Sequence, residues 1–301
     1  LDFALFAAFF PQLVAGPIER AKNLLPQVLL PRTVTLEKFY EGCFLCFWGV
    51  FQKVFIADNL AQLVQQVYNE PGPYNGVNVL LATYAFTFQI YCDFAGYSNM
   101  ARGLSKMLGF ELMLNFNLPF LSTNIQEYWN RWHMSLSTWL RDYLYIPLFR
   151  WLRALKGNVR IYVALMVTMT LIGLWHGAAW TFVIFGVYYG TLLSLYVVIR
   201  ARCSSWIKPK SIWGQHLWHW IRIIFVFHLV IIGMLIFRAP NLTTAWQMFS
   251  SMIINFDLDQ GVMYMMAPKI LYFTWVLIAA ELIQYSKKDL MAIYKSNLIF
   301  K

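Results

Sequence analysis

Apolar positions dominate the chain and fall into seven runs separated by polar connections. The runs are 1–16, 39–57, 77–96, 161–176, 180–199, 220–237 and 269–285. Because about 20 apolar residues carry a helix across a membrane, runs of this length predict transmembrane helices. The pattern therefore predicts an all-α, polytopic transmembrane helix bundle that occupies residues 1–301 as a single membrane-embedded domain. The chain starts at Leu1, directly in the first run, without the features of a signal peptide. We therefore expect a fragment that lacks N-terminal spans.

Basic residues divide the connections into two groups. One group, with the tail after residue 285, holds 21 of the 24 Lys and Arg residues. This group comprises the connections 17–38, 97–160 and 200–222. The other three basic residues, Lys53, Arg238 and Lys269, lie at the edges of apolar runs. The connections 58–76 and 239–268 contain no Lys or Arg. Since cytoplasmic loops carry an excess of Lys and Arg, the basic group is predicted to be cytoplasmic and the N-terminus to lie outside.

Composition and charge limit the classes of partner. The chain is 59% hydrophobic and only 13% charged, whereas a soluble domain carries about a quarter charged residues. The net charge of +10 does not indicate nucleic acid binding, because the basic residues alternate with apolar runs and form no single face. Cys43 and Cys46 form a C-x-x-C pair with no second pair of ligands, and Cys92 and Cys203 lie in apolar segments. Inert thiols and no metal site are predicted.

His176 is the only readily titratable side chain in the 39 residues 161–199, which contain no Asp, Glu, Lys or Arg. A run of that length predicts a turn near Ala178, with His176 deep in the bundle and away from the basic side. A polar group at that depth usually faces a cavity or a functional path. Histidine is the natural general base near neutral pH, and it could remove a hydroxyl proton as the oxygen attacks a thioester. A structural histidine that hydrogen-bonds two spans is the alternative.

A covalent acyl-enzyme has weaker support in the sequence. Residues 96–100 read Gly-Tyr-Ser-Asn-Met and lack the second glycine of a serine nucleophile elbow. Direct transfer from donor to acceptor is the simpler scheme, while Ser98, Ser135 and the cysteines stay open as nucleophiles.

Residues 125–145 predict one amphipathic helix at the membrane interface. Steps of three and four place five large side chains along one side. These are Trp129, Trp132, Leu136, Trp139 and Tyr143. Glu127 and Arg131 are four residues apart and can pair. His133 falls on the apolar side, either as a core histidine bonded to a backbone carbonyl or as a group that lines a reaction channel.

Other polar residues within or beside the apolar runs also need partners. Asp93 is predicted to be a buried carboxylate near the inner face, which either orients a histidine or amide or bonds helix-end groups. Asn117, in a predicted rigid turn, is either structural or in contact with a donor. His228 is interpreted as a packing residue, and Glu281 needs a partner that the sequence does not identify.

Six segments together resemble the membrane-bound O-acyltransferase family, in the family's order. They are 10–18, 93–98, 115–120, 129–137, 141–148 and 173–177. Residues 140–148 and 16–20 are most similar to the alginate O-acetyltransferase branch, and the D-alanine teichoic acid transferases are next nearest. Residues 149–158 depart from the short Gly-Gly-Asn-Arg stretch usual in alginate-type members, which weakens an assignment to alginate itself.

The resemblance implies a helical membrane bundle with interfacial helices and a central tunnel. It implies that His176 matches the catalytic histidine of the family and His133 its second characteristic one. Supporting or substrate-binding roles are expected for five residues: Asp93, Asn117, Trp132, Arg141 and Trp175. No bound cofactor is implied; an acyl thioester, either acetyl-CoA or an acyl carrier, is the expected co-substrate on the cytoplasmic side. A hydroxyl acceptor on a polysaccharide, or an acyltransferase partner protein, is expected outside.

Our leading hypothesis is therefore a multi-pass O-acyltransferase of the bacterial cytoplasmic membrane, most simply an O-acetyltransferase for a cell-surface polysaccharide. Transfer of D-alanine or another acyl group from a carrier protein is the close alternative. A transporter or channel with His176 on a proton path is an alternative from another class. A scaffold that recruits an extracellular acyltransferase is a third interpretation.

Overall fold

The computed structural model describes residues 2–203, 209, 211–258 and 260–296. The side chains of residues 203 and 260–263 lie outside this description, so the prediction for Cys203 falls outside the described residues. The helices are α1 (Asp2–Ala7), α2 (Ala21–Leu29), α3 (Leu36–Val50), α4 (Asp58–Tyr68), α5 (Gly76–Met107), α6 (Ile125–Arg131), α7 (Met134–Leu140), α8 (Ile146–Trp151), α9 (Val159–His176), α10 (Trp180–Cys203), α11 (Ile212–Arg238), α12 (Leu242–Ile254), α13 (Gln260–Lys287) and α14 (Ala292–Lys295). Within the described residues every regular element is helical, which confirms the predicted all-α class.

Five helices are long and apolar enough to cross a membrane. They are Leu36–Tyr68, Val159–His176, Trp180–Arg202, Ile212–Arg238 and Tyr264–Lys287. The first joins α3 and α4 through a π-helical stretch, Phe51–Ala57. The connection predicted to begin at residue 58 is therefore wrong, because the amphipathic sequence of α4 continues the helix for three more turns. The five helices confirm a polytopic membrane protein.

Helix α5 contains the predicted run 77–96 and lies at the centre of the bundle. It has 32 residues and packs against α3, α4, α11, α12 and α13. Contact with α3 is very close, since a β-carbon on Gly96 would lie 2.6 Å from the carbonyl oxygen of Gly49. A helix that is surrounded by protein can carry polar side chains that would be costly in lipid. The polar side chains of α5 lower its hydropathy, so it is not one of the five apolar helices above.

The first apolar run does not form a span. Residues 2–7 make the short helix α1, about 9 Å long at 1.5 Å per residue. A 3₁₀ turn follows at Phe10–Gln12. The ring of Phe9 contacts that of Phe110, 4.6 Å away, and Tyr97 donates to the carbonyl oxygen of Leu13 over 3.1 Å. The predicted crossing at 1–16 is therefore wrong, because the chain folds back against the connection after α5 instead of continuing as a helix.

The two groups of connections meet at opposite ends of the bundle. At one end, Asn75 donates to the carbonyl oxygen of Asp257 over 2.8 Å. At the other end, Arg20 pairs with Asp142 over 2.8 Å, and Gln27 donates to the carbonyl oxygen of Glu111 over 3.0 Å. The basic connections 17–38 and 97–160 thus share one end, as the charge pattern predicted. That this end is cytoplasmic stays a prediction.

The connection 97–160 enters the bundle instead of lying along its surface. Tyr128 and Trp129 contact Tyr189, in the middle of α10, at 6.1 and 5.0 Å between ring centres. Trp132 is buried against Phe116, with ring centres 5.0 Å apart. The interfacial position predicted for Trp129 and Trp132 is therefore wrong, because both side chains pack against neighbouring aromatic rings in the core.

The single helix predicted over 125–145 is broken in the middle. Helix α6 ends at Arg131 and α7 begins at Met134, with a π-helical stretch at Arg141–Tyr145 before α8. The predicted pair Glu127–Arg131 is present, with 2.7 Å between Oε1 and Nη2. Burial raises the pKa of Glu127, but hydrogen bonds from Thr123 and the charge of Arg131 outweigh burial and lower this pKa overall.

Polar residues of the spans find partners. Tyr91 donates to the Glu281 carboxylate over 2.5 Å, which supplies the partner that the sequence required. His228 bonds to the Tyr84 hydroxyl and to the carbonyl oxygen of Ile224, both at 2.7 Å. Since both ring nitrogens of His228 are engaged, its interpretation as a packing residue is confirmed.

Candidate functional site

His133 occupies the break between α6 and α7. Its φ of +42° places it in the left-handed region, which ends one helix and starts the next. The side chain is 8% exposed, and its ring lies 4.5 Å edge-on from that of Phe94. This confirms the predicted apolar surroundings.

The ring nitrogen Nδ1 of His133 is buried and has no hydrogen-bond partner among the described residues. A core histidine satisfied by a backbone carbonyl would not leave Nδ1 in this state, so the arrangement favours the channel-lining alternative. Burial first, and then the charge of the nearby His176, lower the pKa of His133 to about 3. The imidazole is therefore neutral near pH 7.

Asn115 holds the loop that carries His133. Its side chain is fully buried and bridges two elements. The amide nitrogen donates to Ser98 Oγ on α5 over 2.9 Å, and Oδ1 accepts from Ser135 Oγ over 2.5 Å. The carbonyl oxygen of Asn115 also accepts the backbone N–H of Met134 over 2.8 Å. Asn115 thus ties the residues that follow His133 to the central helix, a role that was not predicted from the sequence.

Asn117, which was singled out, has a backbone role. Its N–H donates to the carbonyl oxygen of Arg131 over 3.0 Å, and its own carbonyl oxygen accepts from the Arg131 guanidinium over 3.3 Å. These bonds close the turn before α6 and favour the structural interpretation of Asn117. Asn115 lies two residues before Asn117 in the family-like segment 115–120, and this position was the only feature of the sequence that pointed to it.

His176 is the last residue of α9, and the chain turns at Gly177 and reverses into α10 at Trp180. The predicted turn near Ala178 is confirmed. The imidazole packs beside three aromatic rings, those of Phe182, Phe185 and Phe237, with centres 5.1–6.3 Å away. Its other side is exposed, as is the neighbouring Trp175 at 63%.

The prediction that His176 lies deep in the bundle is therefore wrong for the described chain. The charge-free run divides into two spans, and His176 lies at their junction instead of within either one. It does lie at the end of α9 opposite the basic residue Arg160, as predicted. The charge of His176 nevertheless acts on His133, so we consider the two histidines together as the candidate site.

The junction depends on close contact between α9 and α10. A β-carbon on Gly173 would lie 2.0 Å from the carbonyl oxygen of Phe182. The same turn of α10 supplies Phe182 and Phe185 to the His176 ring. The absent side chain of Gly173 thus fixes where His176 meets its neighbours.

We expect Gly173→Ala to lower the free energy of unfolding by about 1–3 kcal/mol, because the added methyl group must separate two backbones. Thermal unfolding in detergent measures this effect. Val167→Ala, at an exposed position of the same helix, serves as the control and should change stability by less than about 0.5 kcal/mol. Equal midpoints for the two variants would contradict the close contact.

A cavity of about 490 Å³ opens between the α6–α7 segment and helices α9 and α10. Met134, next to His133, and Ile172, one turn before His176, both line it. Arg141 lines it as well and donates from Nε to Asp142 over 2.8 Å. This hydrogen bond, and then the charge of Arg20, lower the pKa of Asp142. With two guanidinium groups around one carboxylate, this mouth of the cavity is positively charged.

A second cavity, of about 440 Å³, has a separate lining. Phe182 and Phe237, which contact the His176 ring, line it together with Asp93 and Arg238. Neighbours of the His176 side chain thus line both cavities. The predicted central tunnel stays a prediction.

Asp93 lines this second cavity but is 52% exposed, so its predicted burial is wrong. The reason is an ion pair with Lys53, 2.6 Å away, which also contacts Asp58 at 2.8 Å. Charged groups on helices this far from their ends are costly in lipid. The cluster therefore marks a face that meets water or protein. Asp93 makes no contact with either histidine in the described structure.

Chains from bacteria are similar to this one over most of its length. A sequence model of "MBOAT, membrane-bound O-acyltransferase family" matches residues 1–238. This chain belongs to that family. It is 46% identical over 256 residues to a "Probable alginate O-acetylase AlgI" of Azotobacter vinelandii, which covers 84% of this chain and 48% of the relative.

More distant relatives carry other acceptors in their names. A "Peptidoglycan O-acetyltransferase" of Helicobacter pylori is 34% identical over 84% of this chain and 46% of its own length. A "Teichoic acid D-alanyltransferase" of Bacillus subtilis is 32% identical over 78% of this chain and 60% of its own length. The chain spans about half the length of the alginate-type relatives that it matches. The resemblance inferred from the six segments is confirmed.

Proposed function

We propose that this family member is a membrane O-acyltransferase, most simply an O-acetyltransferase, that acylates a hydroxyl group of a cell-surface polysaccharide. The observation that carries the proposal is that neighbours of both histidines, Met134 beside His133 and Ile172 one turn before His176, line one cavity. Phe182 and Phe237, which contact the His176 ring, line a second one. An alginate-type relative is 46% identical and a D-alanyltransferase 32% identical, which favours acetyl over D-alanyl transfer. Bacterial relatives support a place in the cytoplasmic membrane.

In the proposed mechanism His176 is the general base. As the acceptor oxygen attacks the thioester carbonyl, His176 takes the hydroxyl proton, and a carbon–oxygen bond forms. The carbon–sulfur bond then breaks, and the thiolate leaves and takes the proton from the imidazolium. No net proton is released, and no covalent acyl-enzyme is needed. His133 stays neutral beside the imidazolium, where a second positive charge would oppose proton transfer.

The two cavities suit two different substrates. The cavity beside Arg141 has a positively charged mouth, which suits an acyl donor with phosphate groups, such as acetyl-CoA or a phosphopantetheine carrier. We assign the cytoplasmic side to this donor. The other cavity has Asp93, Gln89 and Arg238 in its lining, and these groups can hydrogen-bond a sugar acceptor from outside. Exposed Trp175, beside His176, is placed to stack on a sugar ring.

Labelled donors test the function directly. Membrane vesicles that contain the full-length protein should transfer label from acetyl-CoA, or from an acetylated carrier, to alginate or another surface polymer as an alkali-labile ester. Vesicles without the protein should not. Label from D-alanyl carrier alone would support the D-alanyl alternative. Transport of substrate without ester formation would overturn the acyltransferase in favour of a transporter.

A further inference from the structure

A large groove runs between α10 and α11, apart from the two cavities at the histidines. Its volume is about 860 Å³. Its apolar walls include Leu195 and Ile199 of α10 and Ile221 and Phe225 of α11, all of which are exposed. Both helices are candidate membrane spans, so these side chains lie at the depth of lipid acyl chains. An extended apolar surface of this kind needs an apolar occupant.

One end of the groove is cationic. Arg200, in the last turn of α10, and Arg222, three turns into α11, both line it. Neither forms an ion pair with a carboxylate in the described part of the chain. Trp218 and Gln215 lie at the same end. Basic and aromatic side chains flank the apolar part of spans at a membrane interface. The guanidinium groups without a carboxylate partner, the indole and the amide flank the apolar groove in the same way.

Arg222 is held in position by the segment that leads to His133. Its Nε donates to the carbonyl oxygen of Thr123 over 3.1 Å, and Nη2 donates to Thr123 Oγ1 over 3.2 Å. These bonds use two of its five N–H groups, so three remain for a ligand. Thr123 in turn donates from its N–H and hydroxyl to Glu127 over 2.8 and 2.7 Å, at the start of α6.

We propose that this groove binds one anionic glycerophospholipid, with its phosphate on Arg200 and Arg222 and an acyl chain along the apolar walls. The charge of the two arginines decides the class of lipid. A phosphatidylglycerol headgroup keeps a net negative charge, whereas the choline of phosphatidylcholine cancels the charge of its phosphate. Basic pockets between spans at the cytoplasmic surface bind anionic headgroups in this way.

Lipid binding also supports the site. The headgroup fixes Arg222, Arg222 fixes Thr123, and Thr123 bonds to Glu127 in the first turn of the helix that ends just before His133. An anionic lipid therefore raises the thermal stability of the chain. Neither lipid binding nor this stabilisation depends on the proposed acyl transfer, so failure of that function leaves the inference standing.

Native mass spectrometry of the detergent-purified chain tests the proposal, with phosphatidylglycerol and phosphatidylcholine added in parallel. We expect phosphatidylglycerol to bind at least fivefold more tightly and to raise the unfolding midpoint. Arg200→Gln should weaken its binding about fivefold, the effect of one basic residue at a membrane surface. Among the residues that the structure describes, Arg200 makes no hydrogen bond or ion pair that would be lost, and Arg200→Lys should retain most of the binding. Arg153→Gln, on an exposed turn outside the groove, is the matched control and should bind as the wild type does.

Equal binding of the two lipids, or equal loss in Arg200→Gln and Arg153→Gln, would overturn the proposal. So would full competition by inorganic phosphate, because a phosphate site alone needs no acyl chain. A photo-crosslinker at position 225, in the apolar wall, shows whether a lipid or a polypeptide segment occupies the groove. Capture of a lipid supports the proposal, and capture of a polypeptide segment refutes it.

Discussion

Replacement of His176 by alanine is expected to lower the rate of acyl transfer about 100- to 10,000-fold, the usual contribution of a positioned general base. The imidazole is the one titratable group that lies at the α9–α10 junction, beside Phe237 and within reach of His133. Without it, an acceptor hydroxyl has no base at this junction. The fold should persist, because the His176 ring makes aromatic contacts but no hydrogen bond within the described residues. Transfer of labelled acetyl groups in vesicles, at equal protein amounts, measures the effect.

His228→Ala provides the matched control for His176→Ala. It also removes an imidazole from a membrane span, but one whose two nitrogens bond to Tyr84 and Ile224 away from the site. We expect His228→Ala to lower the unfolding midpoint and to leave the rate per folded molecule within about twofold. The role of His176 is refuted if its alanine variant transfers acyl groups as fast as this control.

Hydropathy predicted the spans well because the membrane demands long apolar helices wherever they occur in the chain. It failed at residues 1–16, where the run is apolar but Pro11 and the turn before Gly16 prevent a continuous helix. It also failed to extend α3 to Tyr68, because the polar residues of α4 suggested a loop. These errors share one cause: an apolar average does not reveal whether a helix is continuous or which neighbours cover its polar side.

The position of the α6–α7 segment could not be deduced from periodicity. Tryptophans with basic neighbours indicate a membrane interface, and the same residues also suit a buried aromatic cluster. Tyr189 of α10, far along the chain, decides between them by contacting Tyr128 and Trp129. The break at His133 likewise depends on Asn115, whose partners on α5 and α7 are set by the tertiary fold.

The charged residues show the same limit. Asp93 looked like a buried carboxylate because apolar residues precede it, yet it pairs with Lys53 of another helix at the surface. His176 looked deep because the charge-free run around it is long, yet the turn that follows places it at an end. Sequence identified the residues of the site through their chemistry and family-like segments. Their exposure and partners required the packing of α5, α9 and α10.

Asn115→Ala is expected to have the second large effect, through the placement of His133. The alanine variant leaves the Ser98 and Ser135 hydroxyls without their shared partner inside the protein. Each unsatisfied buried group costs about 1–3 kcal/mol, so the free energy of unfolding should fall by roughly 2–4 kcal/mol. The loop at His133 loses its tie to α5, and the acyl transfer rate per folded molecule should fall at least tenfold. Unfolding midpoints and transfer assays on the same preparations separate these two effects.

Asn117→Ala gives the sharpest comparison with Asn115→Ala, because the same residue type is removed two positions away. The recorded bonds of Asn117 come from its backbone, which alanine retains. Its variant should therefore keep stability within about 0.5 kcal/mol and keep most of the activity. Equal losses in both variants would mean that the 115–120 turn acts only as a unit. A larger loss at Asn117 would move the positioning role from the buried amide to the side chain that the sequence pattern first suggested.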